Sequence, residues 1–161
     1  MQGNRTFSLL VLTALAVLLA ACAAGKTAPS ATPTAQPAGA LIRFRGEYFS
    51  TAGECGYCHT GMKDASGADI SIDSDWRSSM MANAARDPYY RAAVRSEVLT
   101  NPGQQAAIEK KCAVCHLGMA FTTARLNEEP VAMLPAGGFL AADHPLHPLA
   151  LDGVSCTMCH Q

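Results

Sequence analysis

The sequence predicts a mainly α-helical fold with long irregular loops, and three observations point that way. Two proline-marked helix starts stand at Asp87-Pro88 and Asn101-Pro102. No stretch alternates polar and apolar residues as a half-buried strand would. Gly, Pro, Ser and Asp crowd the segments 64–74 and 134–152, which read as loops. With 161 residues and a formal net charge of −1, the chain has room for one small domain. It lacks the basic field that nucleic-acid binding requires.

The first forty residues read as processing and tethering segments. Arg5 precedes an apolar run from Phe7 that ends in Leu19-Ala20-Ala21-Cys22, the pattern of an export signal with a small-residue cleavage site. The run is too short for a membrane span. Leu-Ala-Ala-Cys resembles the lipobox of bacterial lipoproteins, so residues 1–21 are expected to be a lipoprotein-type signal peptide. Cys22 would then carry the lipid. Several acyl chains, at about 0.8 kcal/mol per buried CH₂, give a stable anchor. Residues 22–40, rich in Ala, Thr and Pro, cannot bury a core and read as an extended tether. The expected location is extracytoplasmic, in the periplasm or at the cell surface, held to the membrane by lipid.

Within residues 41–161 three helices are expected in order. A short one runs over Asp75–Arg86, capped by Ser74. A second opens at Asp87-Pro88 and carries Tyr90, Val94 and Val98 at i, i+4, i+8, an apolar stripe that stops at Asn101. A third takes Asn101 as N-cap, Pro102 at N1 and Gln104 at N3 of a capping box, and runs into Cys112–His116.

Apart from Cys22, every cysteine belongs to a Cys-x-x-Cys-His unit: Cys55 and Cys58 with His59, Cys112 and Cys115 with His116, Cys156 and Cys159 with His160. This unit is the pattern of c-type haem attachment. On a helical turn, positions i and i+3 share a face, so both thiols can add to the two vinyl groups of one porphyrin. The following histidine then becomes the proximal ligand of the iron. Disulfides would suit an exported protein but give no reason for a histidine after each pair. Zinc would leave three Cys₂His sets short of a fourth ligand, with His144 and His147 to share. A thioredoxin-like pair would need a βαβ setting and would occur once. The sequence therefore predicts a small multihaem cytochrome c domain organised around three covalently bound haems c. A core this small is marginal by itself, so the porphyrins must supply much of the buried apolar surface, and the haem-free chain is not expected to fold stably. Trp76 and Tyr57 are expected on porphyrin faces.

Three irons have six axial positions, and the motif histidines fill three. The other histidines, His144 and His147, sit in Asp143-His144-Pro145-Leu146-His147-Pro148, a proline-stiffened loop, and both are candidate distal ligands. Methionine sulfur is the remaining source, from Met62, Met80, Met81, Met119 or Met133.

The stretches Asp75-Trp76-Arg77-Ser78-Ser79-Met80-Met81-Ala82-Asn83-Ala84, Arg86-Asp87-Pro88-Tyr89-Tyr90, Lys111–His116 and Gly153–His160 resemble exported multihaem c-type cytochromes of the tetrahaem, cytochrome c-five-fifty-four-like group. The likeness covers residues 54 to the end. In that group a Trp-x-x-Ser-x-His-Ala pattern supplies a distal histidine; here Met81 stands at that position, which makes Met81 the first choice among the methionines. Relatives continue past such a last motif. With His160 next to the final residue, the haem-binding domain of residues 41–161 is expected to be incomplete at its C-terminus, part of a longer parent chain with further haem domains.

The function expected is electron carriage between redox partner proteins by a membrane-anchored exported cytochrome. The alternative is a haem oxidoreductase, or a subunit of one, acting on a small nitrogen or sulfur compound at a five-coordinate haem.

Overall fold

Thr51 stands at the N-cap of the first helix, yet its hydroxyl does not cap it. It donates to Ile42 O at 2.6 Å and accepts from Phe44 N at 2.9 Å, which ties the segment before the helix into a turn. The cap comes from far along the chain: the Asp152 carboxylate accepts the Ala52 N–H at 2.6 Å. A carboxylate at a helix N-terminus satisfies an orphan donor and faces the positive end of the helix dipole.

The computed structural model describes residues 41–134 and 137–160, all within one unit spanning Gly39–Gln161. The signal peptide, Cys22 and the tether expected over residues 1–40 lie outside the described residues. The described part is mainly helical, as the sequence predicts, and contains no strand. Its helices are α1 (Ala52–His59), α2 (Ile72–Arg77), α3 (Met80–Asn83), α4 (Pro88–Thr100), α5 (Gln105–His116), α6 (Gly118–Leu126) and α7 (His147–Leu151). Short 3-10 turns occur at Pro102–Gln104 and Cys156–Met158. Among the described residues no helix is long and apolar enough to cross a membrane.

Two packed groups result. In one, α4 lies on α5, α5 on α6 and α6 on α7; in the other, α1 packs on α2 and on the Cys156–Met158 turn, and α2 on α3. The buried core centres on Phe49, Tyr90, Val94, Leu117, Met119, Met133, Phe139, Leu146 and Leu149. Its other buried members are alanines: Ala85, Ala113, Ala120, Ala124 and Ala150. Alanine removes little apolar area from water, so this core is weak for its length.

Several expected elements differ in detail. α4 forms as read: Asp87 accepts from Tyr89 N, Pro88 occupies the first turn, and Tyr90 and Val94 are buried. The helix expected over Asp75–Arg86 is broken in two and begins earlier, at Ile72. Its serines cause the break. Ser78 donates its hydroxyl to Asp75 O, and Ser79 turns extended (φ −79°, ψ 159°) to cap α3 by accepting from Ala82 N. Serine side chains compete with helical hydrogen bonding in this way. Ser74 caps nothing here; its hydroxyl donates to Asp69. Asn101 does not N-cap the following helix either. Its side-chain amide donates to Glu97 O, closing α4, and Pro102–Gln104 forms a 3-10 turn before α5 starts at Gln105. The segment 134–152, read as loop, contains α7, opened by His147 with Pro148 in its first turn.

Candidate functional site

The three Cys-x-x-Cys-His units adopt three local structures. The first closes α1, the second closes α5, and the third winds through the 3-10 turn Cys156–Met158. In each, the first cysteine is half-buried and the second exposed, and none of the six is paired in a disulfide. The thiols of each unit therefore present one inner and one outer sulfur. Burial, followed by the neighbouring Cys156 thiol, pushes the Cys55 thiol above its ordinary range. Burial and then Cys115 do the same for Cys112.

The first and third units share one cavity of about 550 Å³. Its walls hold Cys55 and His59 from the first unit and Cys156, Cys159 and His160 from the third. Between them stand Trp76, Met81, Ile72 and Val154, an apolar lining in which the one carboxylate is Asp73. Asp73 is itself paired with Arg77 at 2.7 Å. A volume of this size falls in the ~300–1,000 Å³ range of small-molecule and cofactor sites.

The cavity is assembled by contacts between segments far apart in the chain, the first of them spanning 78 residues. The Trp76 indole N–H donates to Val154 O at 3.0 Å, and Val154 N donates to Met81 O at 3.0 Å. Gly153 makes that approach possible. Its φ is +67°, and a Cβ there would lie 2.5 Å from Met81 O. The left-handed backbone and the close carbonyl both require glycine. Thr157, inside the third unit, donates to Ser50 O at 2.7 Å and accepts from Ser50 N at 3.2 Å. With the Asp152 cap on Ala52, these bonds pin the third unit against the start of α1.

Met81, singled out from the sequence, is thus placed in the cavity wall, half-exposed at 51%. Met119 and Met133 are fully buried; the Met119 sulfur lies 3.4 Å from the Thr157 hydroxyl oxygen, and the Met133 sulfur accepts from the Tyr90 hydroxyl. Met62 and Met80 are exposed. Trp76 lines the shared cavity, whereas Tyr57 is 80% exposed and borders a second, smaller cavity with Arg43, Asp73 and Arg77.

The second unit lies apart, in the packing of α4, α5 and α6. The His116 ring stacks on Tyr90 with centroids 3.6 Å apart and planes 5° from parallel. Its Nδ1 sits 2.8 Å from Ala84 O. Glu109, three residues before Cys112, is buried; its carboxylate accepts from Met133 N and Leu134 N and from Gln105 Nε2 at 2.7 Å. Nothing in the pattern Glu109-Lys110-Lys111 distinguishes this glutamate from a solvated helix face. His144 and His147 lie outside the shared cavity. Among the described residues no three His, Cys, Asp or Glu side chains stand together as a bare metal-ion site.

The donor set fits c-type haem: paired thiols at i and i+3, an adjacent imidazole, and an apolar enclosure with an aromatic wall. Comparison of the chain with protein-family models, curated proteins and solved structures finds no match.

Proposed function

We propose that the chain is an exported, lipid-anchored multihaem c-type cytochrome that carries electrons between redox partner proteins. The observation that supports this best is the shared cavity, into which two Cys-x-x-Cys-His units open with both their histidines. When bound, haem supplies one-electron exchange at iron, with a potential set by axial ligands and burial. The chain's own residues would hold three such groups, through Cys55 and Cys58, Cys112 and Cys115, and Cys156 and Cys159. His59, His116 and His160 would face the irons. The large apolar side chains left exposed near the units, Tyr57, Ile72, Met81 and Val114, mark surface that a porphyrin would cover.

The test is the polypeptide made in a host with haem-attachment machinery, denatured and washed. It should retain porphyrin absorbance, and its intact mass should exceed that of the chain by three haems plus any lipid. A colourless polypeptide, or stoichiometric zinc, would overturn the reading. A carrier should show low-spin spectra; a haem that binds nitrite, hydroxylamine or carbon monoxide would favour the oxidoreductase.

A further inference from the structure

Glu109 is 1% exposed and lies on the helix that carries the second unit. It stands three positions before Cys112 and seven before His116, so the three positions share one face of α5. Its carboxylate accepts from three N–H groups: Met133 N and Leu134 N at one oxygen, and Gln105 Nε2 at the other, 2.7 Å away. Among the described residues no lysine, arginine or histidine forms an ion pair with it. Three donors converging on one group suit an anion, which can only accept. A buried charge without a counter-ion is costly, and a neutral amide could take the backbone bonds at less cost, so packing alone does not call for a charge here.

The second unit lies within reach of that charge. Burial pushes the Cys112 thiol up most, and Cys115, Glu97 and Glu109 add to it in that order. Glu97 is exposed, so water and salt screen it, whereas Glu109 is placed where screening is weak. Met133, held by Glu109 through its N–H, also takes the Tyr90 hydroxyl on its sulfur at 3.2 Å, and the Tyr90 ring stacks on His116. Glu109 thus bears on both the first cysteine and the histidine of the unit. We infer that Glu109 tunes the haem of the second unit, holding its reduction potential low with a fixed, buried negative charge. The inference rests on the haem reading above and names the residue that sets one of its potentials. Reduction adds one electron at iron, and a fixed anion on the same helix face opposes that gain, the more so in a buried, weakly polar setting.

The experiment uses holoprotein and follows each haem through a redox titration by NMR. Haem content is counted after denaturation, and hydrogen exchange is read at the Met133 and Leu134 N–H groups. Glu109→Gln keeps an acceptor for the backbone and removes the charge. The haem of the second unit alone should then titrate at a more positive potential, and the shift should persist at high salt. Glu97→Gln, the exposed control, should give a smaller shift that salt abolishes. Glu109→Asp keeps the charge on a shorter side chain, so Met133 and Leu134 should lose protection while the potential stays near that of wild type. A merely structural glutamate predicts the opposite order, with Asp disturbing the potential more than Gln. That order, a Glu109→Gln shift that salt abolishes, or unchanged potentials at full haem content would overturn the inference. If Glu109→Gln does not accumulate, Gln105→Lys decides: an ammonium set against the carboxylate should raise the same potential, and an unchanged one refutes the assignment. Absence of haem from the wild-type protein would sink the parent reading instead.

Discussion

Thr157 holds Ser50 by both of its backbone polar groups, its hydroxyl donating to Ser50 O at 2.7 Å while accepting from Ser50 N at 3.2 Å. A residue between the two cysteines of the third unit thereby performs the work of a paired strand for the segment that leads into the first. Thr157→Val keeps the shape and removes both bonds, leaving the Ser50 groups to find other partners. The holoprotein should lose about 1–3 kcal/mol in denaturant unfolding, and Thr157→Ser should restore most of it. Equal stability of the valine variant would show that this clamp is dispensable.

Gly153 should tolerate no side chain. Its φ of +67° costs a non-glycine residue about 1–3 kcal/mol, and the added Cβ would meet Met81 O. Gly153→Ala is expected to lower the thermal midpoint of the holoprotein and to disturb the third unit most, read as a loss of haem on Cys156 and Cys159 in peptide mass mapping. Wild-type midpoint and full loading in that variant would contradict the packing described.

Asp152 gives a pH dependence with a definite sign. Burial pushes its carboxyl above the ordinary 3.8, against the pull of the Ala52 N–H and Arg86. The folded form then keeps its proton to higher pH than the unfolded form. The stability linked to that proton is complete below 3.8 and is lost as pH rises through the raised folded value. Asp152→Asn keeps an acceptor for Ala52 and removes the titration, so this part of the slope of stability against pH should vanish. Asp152→Ala leaves the buried Ala52 N–H unpaired and should cost about 1–3 kcal/mol at neutral pH. A slope identical in Asn variant and wild type would clear Asp152 of the effect.

Tyr90 supports the second unit in two separable ways, stacking on His116 and donating to Met133 Sδ at 3.2 Å. Tyr90→Phe retains the stack and should cost no more than about 0.5–1.5 kcal/mol, the net worth of one hydrogen bond. Tyr90→Ala removes the ring beneath His116 and should cost about 3–5 kcal/mol, the range for losing a large aromatic from a core. It should also shift the potential of a single haem. Equal losses in the two variants would mean that the ring contact contributes nothing beyond the hydroxyl.

The alanine-rich core predicts that haem-free chain, made without attachment machinery, lacks cooperative unfolding. Calorimetry of that material should show no sharp transition. A sharp one would mean that the polypeptide core alone suffices.

The sequence by itself determined the helical class, the start of α4 at Asp87-Pro88, and the three Cys-x-x-Cys-His units, because each depends on residues within a few positions of one another. Local chemistry also misled: Ser74 and Asn101 have the composition of N-caps, but the Asp69 carboxylate and the Glu97 carbonyl claim their side chains. Only the tertiary structure decided that the first and third units open on one cavity while the second stands elsewhere, and that α1 is capped by Asp152. It alone showed that Nδ1 of His147 faces the Phe139 carbonyl while Nδ1 of His144 faces the Leu146 N–H. Contacts across a hundred residues leave no periodicity in the chain, and a tautomer is set by the partner that packing brings to the ring.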